Sequence, residues 1–338
     1  MKFSKAQKKI LFLCPKRGYY FEDDINFLNK NHKVRILISK DLEKKWNIPI
    51  FYINLFLGIL WADLIYIWFI NTPTYLSVFL AKIFSKKTIV IIGGYEVAKI
   101  PEIQYGALIN PKSANQVKYV FENVTKVLVV DIGLKVDAIQ NLNIKGNNIE
   151  VVPTGFDYNK FIPSGVKENL VITSAYIQNW NTVRLKGIDT LVKSAILVPE
   201  CKFIILGIEN PNCLQKLKKN APNNVEFKQF LKGELELIHL LQKAKIYCQL
   251  SMREGLPSTL CEAMLCECIP IGSEVQGVKS AIGDVGFLVP YGNPEKTATA
   301  IKKAIHLSSE GMIRKRIIEN YSLEKRERTI IAIIESIT

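Results

Sequence analysis

The chain has 338 residues, 48% of them apolar and 22% charged, which excludes a disordered chain and provides ample material for a buried core. At roughly 100–200 residues per domain, this length suggests about two domains. Lys and Arg number 45 against 31 Asp and Glu, and the net charge of +14 predicts an anionic partner: nucleic acid, an anionic membrane surface or a phosphorylated small molecule.

The N-terminus, MKFSKAQKKILFLCPKRGYY, starts basic, but its apolar run covers only residues 10–14. A signal peptide needs about 7–15 apolar residues and a small-residue cleavage site. A buried first strand is expected instead. Residues 48–84 form the most apolar stretch, interrupted by Asp63, Asn71 and Pro73. This pattern predicts a helix over 51–61, a strand over 64–70, a helix over 74–84 and a strand over 88–92. Strands covered on both faces explain the unbroken hydrophobicity better than a membrane span.

Further strands are expected at 10–14, 34–38, 127–130 and 150–152. A second series follows at 170–174, 202–206, 225–227, 246–249, 269–271 and 286–288. Helix-length segments lie between most neighbours. Alternating strands and helices predict parallel sheets covered on both faces, and two such series predict two doubly wound α/β domains. The expected partition is an N-terminal domain over 1–160, a C-terminal domain over 167–321 and a final helix over 322–338 packing toward the N-terminal domain. Turn formers at 153–167, including PTGFDYNKFIPSG, mark the hinge. Most of the basic excess falls in the first half, with Lys2, Lys5, Lys8, Lys9, Lys16 and Arg17 at its start. In the last helix Ser322 is the expected N-cap, and Ile330, Ile331, Ile333 and Ile334 the docking cluster.

Seven cysteines, an odd number with no signal peptide, point to a reducing cytoplasm. Cys261, Cys266 and Cys268 cluster, but without a second cysteine pair or nearby histidine they read as small buried hydrophobes, and no metal site is expected.

The informative stretch is QLSMREGLPSTLCEAMLCECIPIGSEVQGVKSAIGDVGFLVP, residues 249–290. A buried strand runs into the loop SMREGLP, which enters a helix over 257–267. A glycine before a helix start permits close backbone approach to a ligand, and the positive end of the helix dipole suits phosphate. Glu254 lies on the loop and Glu262 more than a turn inside the helix. The two carboxylates can accept hydrogen bonds from sugar hydroxyls at opposite ends of one extended ligand. Taken alone, the pair favours a plainer reading, with Glu254 a partner of the helix dipole and Glu262 on a solvated helix face.

The set E-G-L-P-x-x-L-x-E-A-M, I-P-I-G-S, a Gly-Val pair and G-F-L-V-P resembles glycosyltransferase family 4, retaining enzymes with the GT-B fold. VRLKGIDTLVKSA (183–195) and IEVVPTGFD (149–157) are similar to further blocks of that family. The resemblance implies two Rossmann-like domains whose parallel sheets face each other across a cleft. It implies that Glu254 contacts the donor sugar, that Glu262 holds the nucleotide ribose, and that Gly255, Leu256 and the N–H groups of Ser258, Thr259 and Leu260 border the diphosphate. Arg184 and Lys186 stand where the family supplies its cations, although the loop before them is longer than usual. Gly18 stands in for a glycine-rich loop, and Phe230 lies in the expected base pocket. Where a histidine often stands after the strand near residue 92, this chain has Tyr95 and Glu96, candidate acceptor contacts. Thr154 replaces the usual Asn of the hinge segment.

The implied activity is retaining transfer of a sugar from a nucleotide sugar to an acceptor hydroxyl, without metal or other cofactor. The departing phosphate assists deprotonation of the acceptor. A glycan or lipid-linked acceptor at an anionic membrane surface fits the basic, apolar first half, and places the protein in the cytoplasm or on the inner face of the cell membrane. The alternatives are a nucleotide-sugar epimerase of the same fold and a non-catalytic nucleotide-sugar-binding protein. No G-x-G-x-x-G follows a strand, which disfavours a nicotinamide enzyme, and no nucleic-acid-binding module is recognisable.

Overall fold

The computed structural model describes residues 7–16, 20–39, 47–229, 231, 233–308 and 311–338. The chain divides into two compact units, Met1–Gly155 with Leu323–Thr338, and Phe156–Ser322.

The first unit runs β1 (Lys9–Cys14), α1 (Tyr20–Asn31), β2 (Lys33–Ile38), α2 (Asn47–Trp61), β3 (Leu64–Trp68), α3 (Thr72–Ile83), β4 (Lys87–Ile92), α4 (Pro111–Asn123), β5 (Lys126–Val129), α5 (Ile132–Leu142) and β6 (Ile149–Val151). The six strands are parallel, in the order β2-β1-β3-β4-β5-β6. All five residues of β3, LIYIW, are buried, as expected of a central strand covered on both faces. The expected strand 64–70 stops at Trp68 because Phe69 has φ 67°, outside the extended region. The apolar stretch of the sequence is thus α2, β3, α3 and β4, and no helix among the described residues is long and apolar enough to cross a membrane.

The second unit runs β7 (Glu168–Ile177), α6 (Trp180–Leu185), α7 (Ile188–Ile196), β8 (Lys202–Ile208), α8 (Pro211–Lys219), β9 (Val225–Lys228), α9 (Glu234–Lys243) and β10 (Ala244–Gln249). It continues with α10 (Ser258–Leu265), β11 (Ile269–Ser273), α11 (Gln276–Ile282), β12 (Phe287–Val289), α12 (Pro294–Ala304) and α13 (Met312–Tyr321). Its sheet, also parallel, has the order β12-β11-β10-β7-β8-β9. Two doubly wound α/β units are therefore present, and each expected strand segment overlaps one strand.

The last helix, α14 (Leu323–Ile337), belongs to the first unit, where it buries Ile330, Ile333 and Ile334. A fully buried ion pair fixes it. Arg326 donates through Nε to Asp24 Oδ1 (2.7 Å) and through a terminal nitrogen to Oδ2 (2.8 Å). Asp24 Oδ2 also accepts from Tyr66 Oη (2.6 Å) and Trp68 Nε1 (2.8 Å). The remaining donors of Arg326 reach the carbonyls of Val152 and Pro153. This network ties α1, β3, the end of the β6 connection and α14 together. Removing one partner of a buried pair strands the other charge, at a cost of about 3–5 kcal/mol. Arg326→Met is expected to destabilise the first unit by about that much in chemical denaturation.

Candidate functional site

Most of the residues singled out by sequence fall at the C-terminal ends of β7 and β10 in the second unit. At its C-terminal end β7 pairs irregularly with β8, between Ser174 and Ile177, before the chain turns into α6. Asn179 caps α6, accepting from the Thr182 N–H at 2.9 Å. The longer loop seen in the sequence is therefore a short helix with Arg184 in its last turn and Lys186 at its C-cap. Tyr291 Oη donates to the Arg184 carbonyl (2.7 Å), pinning the end of α6.

Gly187 follows with φ 63°, and a Cβ there would lie 2.1 Å from the Leu250 carbonyl oxygen. Only glycine lets the α6–α7 turn rest against the loop leaving β10. Met252 N–H donates to the Leu185 carbonyl at 2.7 Å, which joins the two segments. From the other side, a Cβ on Gly277 would lie 1.2 Å from the Gly255 carbonyl oxygen, so the start of α11 also presses on this loop. The loop backbone is held between two glycines distant in sequence.

On that support sits Glu254. Its Oε1 accepts from Lys186 Nζ (2.6 Å), Ser251 Oγ (2.6 Å) and Gln249 Nε2 (2.9 Å). Ser273 Oγ on β11 in turn donates to the Ser251 carbonyl. Glu254 and Lys186 are both mostly buried, with side chains 12% and 26% exposed, so the pair is screened less than a surface ion pair. The structure thus brings Glu254 and Lys186 into direct contact. Gln249 and Ser251 were not recognised from sequence, because their part depends on how the loop folds back.

The expected helix 257–267 is shorter, covering Ser258–Leu265, and Pro257 is its N-cap rather than its first residue. Proline has no side-chain oxygen to cap the first turn, and no side chain does so. Gly255, Leu256 and Leu260 are buried, while Ser258 and Thr259 are half-buried. Tyr247, buried on β10, accepts from the Ser174 N–H (3.3 Å) and interacts with Thr259. Burial, then the neighbouring Glu262 and Glu254 carboxylates, push its phenol upward.

Glu262 is the fifth residue of α10 and is buried, not on a solvated face. Burial lifts its carboxyl from 4.5 to about 7, with Glu234 adding to the rise and Lys160 opposing it. Lys160 and Glu234 are themselves paired at 2.6 Å. A half-protonated carboxyl near neutral pH is an adaptable partner for hydroxyl groups.

Gly18 and Phe230 lie outside the described residues. Tyr95 and Glu96 follow β4 in the first unit. Tyr95 is 54% exposed and its ring meets that of Tyr105 edge-on at 5.3 Å. Glu96 is buried, and its carboxylate accepts from the Gly94 N–H at 3.0 Å. Its carboxyl is raised by burial and pulled back by backbone N–H groups of its own residue, Gly94, Ile70 and Gly93. Glu96 therefore holds the turn that presents Tyr95. Tyr95 lines a cavity of about 460 Å³ with Asn71, Gln104, Asn110, Ser113 and Gln116, among others. The cysteines are buried and unpaired by disulfides, and among the described residues no group of three His, Cys, Asp or Glu is placed to hold a metal.

Residues 167–323 match the family of group 1 glycosyl transferases. That segment is a glycosyl transferase group 1 domain. A curated relative, the N,N'-diacetylbacillosaminyl-diphospho-undecaprenol alpha-1,3-N-acetylgalactosaminyltransferase of Campylobacter jejuni, is 27% identical over 162 residues. The match covers 43% of this chain and 42% of the relative, so the chain spans under half the length of the protein it matches. Among solved structures, HepE of Anabaena in complex with UDP and glucose superposes with a TM-score of 0.79 at 15% identity, covering 98% of this chain and 100% of that one. Sucrose-phosphate synthase of Thermosynechococcus elongatus gives 0.77 at 14%, covering 98% and 99%. A glycosyltransferase of Rickettsia africae gives 0.74 at 18%, covering 98% of each. The two doubly wound units are thus the GT-B fold.

Two measurements probe this site as built. Gly277→Ala is expected to cost about 1–3 kcal/mol in thermal denaturation, because the methyl overlaps a backbone carbonyl. Glu262 should also make stability depend on pH. Its folded carboxyl titrates near 7 and its unfolded one near 4.5, so the folded state retains a proton that the unfolded chain releases. Stability is then full below about 4.5, falls as pH rises through about 7, and is flat above. The loss is on the order of 3 kcal/mol. Glu262→Gln should remove that slope from denaturation curves recorded across this range.

Proposed function

We propose that the protein transfers a sugar from a nucleoside diphosphate sugar to an acceptor hydroxyl, with retention of anomeric configuration. The observation that carries the reading is the cluster of Lys186, Glu254, Ser251 and Gln249 beside the uncapped N-terminus of α10, with buried Glu262 within the same helix. The group 1 domain supports it, and so does the fold shared with a protein solved with UDP and glucose.

In this reading the nucleotide ribose donates hydroxyl hydrogen bonds to Glu262. The diphosphate lies against Gly255, Leu256 and the N–H groups of Ser258, Thr259 and Leu260, where the helix dipole favours negative charge. Lys186 and Arg184 supply the cations. Glu254 orients Lys186 and receives hydroxyls of the transferred sugar. As the bond from the anomeric carbon to the diphosphate breaks, positive charge grows on the sugar and negative charge on the leaving oxygen. Preorganised cations and N–H groups stabilise the latter, each such contact lowering the barrier by about 2.7–4 kcal/mol. The acceptor oxygen bonds to the anomeric carbon on the face the phosphate leaves, and its proton passes to that phosphate. This scheme draws on no metal. Tyr95 and the amide-lined cavity beside it are the proposed acceptor contacts, and the turn held by Glu96 positions them. A glycan or a lipid-linked saccharide is the proposed acceptor class, by analogy with the lipid-linked substrate in the Campylobacter relative's name.

Thermal-shift titration with UDP, GDP, ADP and their sugar conjugates tests the donor. A nucleotide at 100 times its dissociation constant stabilises by about 2.7 kcal/mol, and the absence of a shift with every nucleotide would defeat the proposal. With the donor identified, Lys186→Ala should lower kcat about 10²–10³-fold. Glu254→Ala should abolish transfer while the shift with free nucleotide persists. Conversion of the donor with no acceptor present would instead identify an epimerase.

A further inference from the structure

The least ordinary surface of the described chain is one helix of the first unit. The α2 sequence, NIPIFYINLFLGILW, contains no charged residue. One face packs inward through Phe51, Leu55, Gly58 and Ile59. Gly58 lets it sit close to the sheet, since a Cβ there would lie 2.9 Å from the Leu11 side chain. A helix docked in this way normally turns polar side chains outward. Here Ile50, Ile53 and Leu57 are 59%, 58% and 53% exposed, and Phe56 and Leu60 each 42%. Positions 50, 53, 57 and 60 recur at helical spacing, so they form one stripe. Beside it, α3 meets α2 through Phe56 and Phe84, rings 5.8 Å apart, and exposes Phe79 and Ile83 one turn from each other.

The rim of this face is cationic. At the end of the stripe, the Arg35 guanidinium stands 4.1 Å from the Trp61 ring centroid and Lys9 Nζ 6.0 Å. Lys86 Nζ donates to the Leu60 carbonyl at 3.1 Å, and exposed Lys82 precedes it by four residues at the end of α3. Lys33 and Lys87 begin the parallel strands β2 and β4, and Lys33 is paired in register with Lys9. Among the described residues at this end, the Asp63 carboxylate accepts the backbone N–H of Lys9 at 2.8 Å.

We infer that the outward face of α2, continued by Phe79 and Ile83 of α3, docks on an anionic lipid bilayer. The apolar ridge enters the boundary between headgroups and acyl chains, lying in the plane of the surface. The cations around its end reach lipid phosphates, as long Lys and Arg side chains do. Charge complementarity selects the occupant: a ridge without charge, bordered by Lys and Arg, matches an apolar layer beneath a sheet of phosphates. Of the basic cluster at the start of the sequence, Lys2, Lys5 and Arg17 fall outside the described residues, Lys8 donates to the Thr338 carbonyl at the end of α14 and Lys16 follows the far end of β1, whereas Lys9 belongs to this rim. The inference is independent of the sugar-transfer reading, because vesicle binding needs neither donor nor acceptor.

The test is co-sedimentation of the full chain with vesicles of phosphatidylcholine, with and without phosphatidylglycerol. The wild type should pellet with vesicles containing phosphatidylglycerol and bind pure phosphatidylcholine more weakly. Ile50→Glu/Ile53→Glu/Leu57→Glu should reduce partitioning by roughly tenfold or more, and single Ile53→Glu should reduce it in part should the triple variant fold poorly. Arg35→Glu/Lys82→Glu should weaken binding to the anionic vesicles. The inference falls if the wild type stays in the supernatant with every vesicle or if the folded apolar-face variants partition like wild type. It also falls if lipid-free sedimentation velocity shows a dimer that Ile53→Glu dissociates, which would make this face a contact between copies.

Discussion

A single carboxylate oxygen organises the second unit's candidate site. Glu254 Oε1 receives Lys186, Ser251 and Gln249 at once, and through them it joins the α6–α7 turn, the end of β10 and the loop before α10. Lys186 lies 68 positions from Glu254 in sequence, so the ion pair exists only because β7 and β10 are neighbours in the sheet. Parallel strands place their C-terminal ends on one edge, and the segments leaving those ends converge. The Gly187 and Gly277 contacts then fix the loop to within the thickness of a methyl group.

The two buried charge systems solve different problems. Asp24 and Arg326 are closed off from solvent, and their hydrogen-bonding groups are matched by Tyr66, Trp68 and two carbonyls. Such a matched pair specifies where α14 docks more than it stabilises the chain outright. Glu262 is buried beneath a weaker set of charges, with its nearest influences a carboxylate and a lysine that already pair with each other. Burial therefore holds its carboxyl up to about 7, where it titrates near neutral pH.

Much of the architecture was legible because buried parallel strands announce themselves. LIYIW and, after Lys87, TIVII are uninterrupted apolar or β-branched runs, and they bound the helix between them. The E-G-L-P-x-x-L-x-E run was legible for another reason: glycine and proline before a helix constrain the backbone locally, with no reference to distant residues. The seven residues before Arg184 carried no such signal. They read as a long loop, yet Asn179 caps a short helix there, and the cap shows its worth only once Thr182 folds over it. Glu262 misled in the opposite direction, because a charged residue in a helix is usually solvated, and burial depends on what packs above it.

From the sequence alone came the two series of strands, the turn-rich segment between them and the candidate carboxylates and cations, since periodicity and local backbone chemistry are written residue by residue. Only the tertiary structure decided which of these meet. It paired Glu254 with Lys186, buried Glu262 and Glu96, locked α14 to α1 through Arg326 and Asp24 and left one face of α2 uncovered. Those outcomes depend on strand order and packing between distant segments, and no local pattern of side chains encodes them.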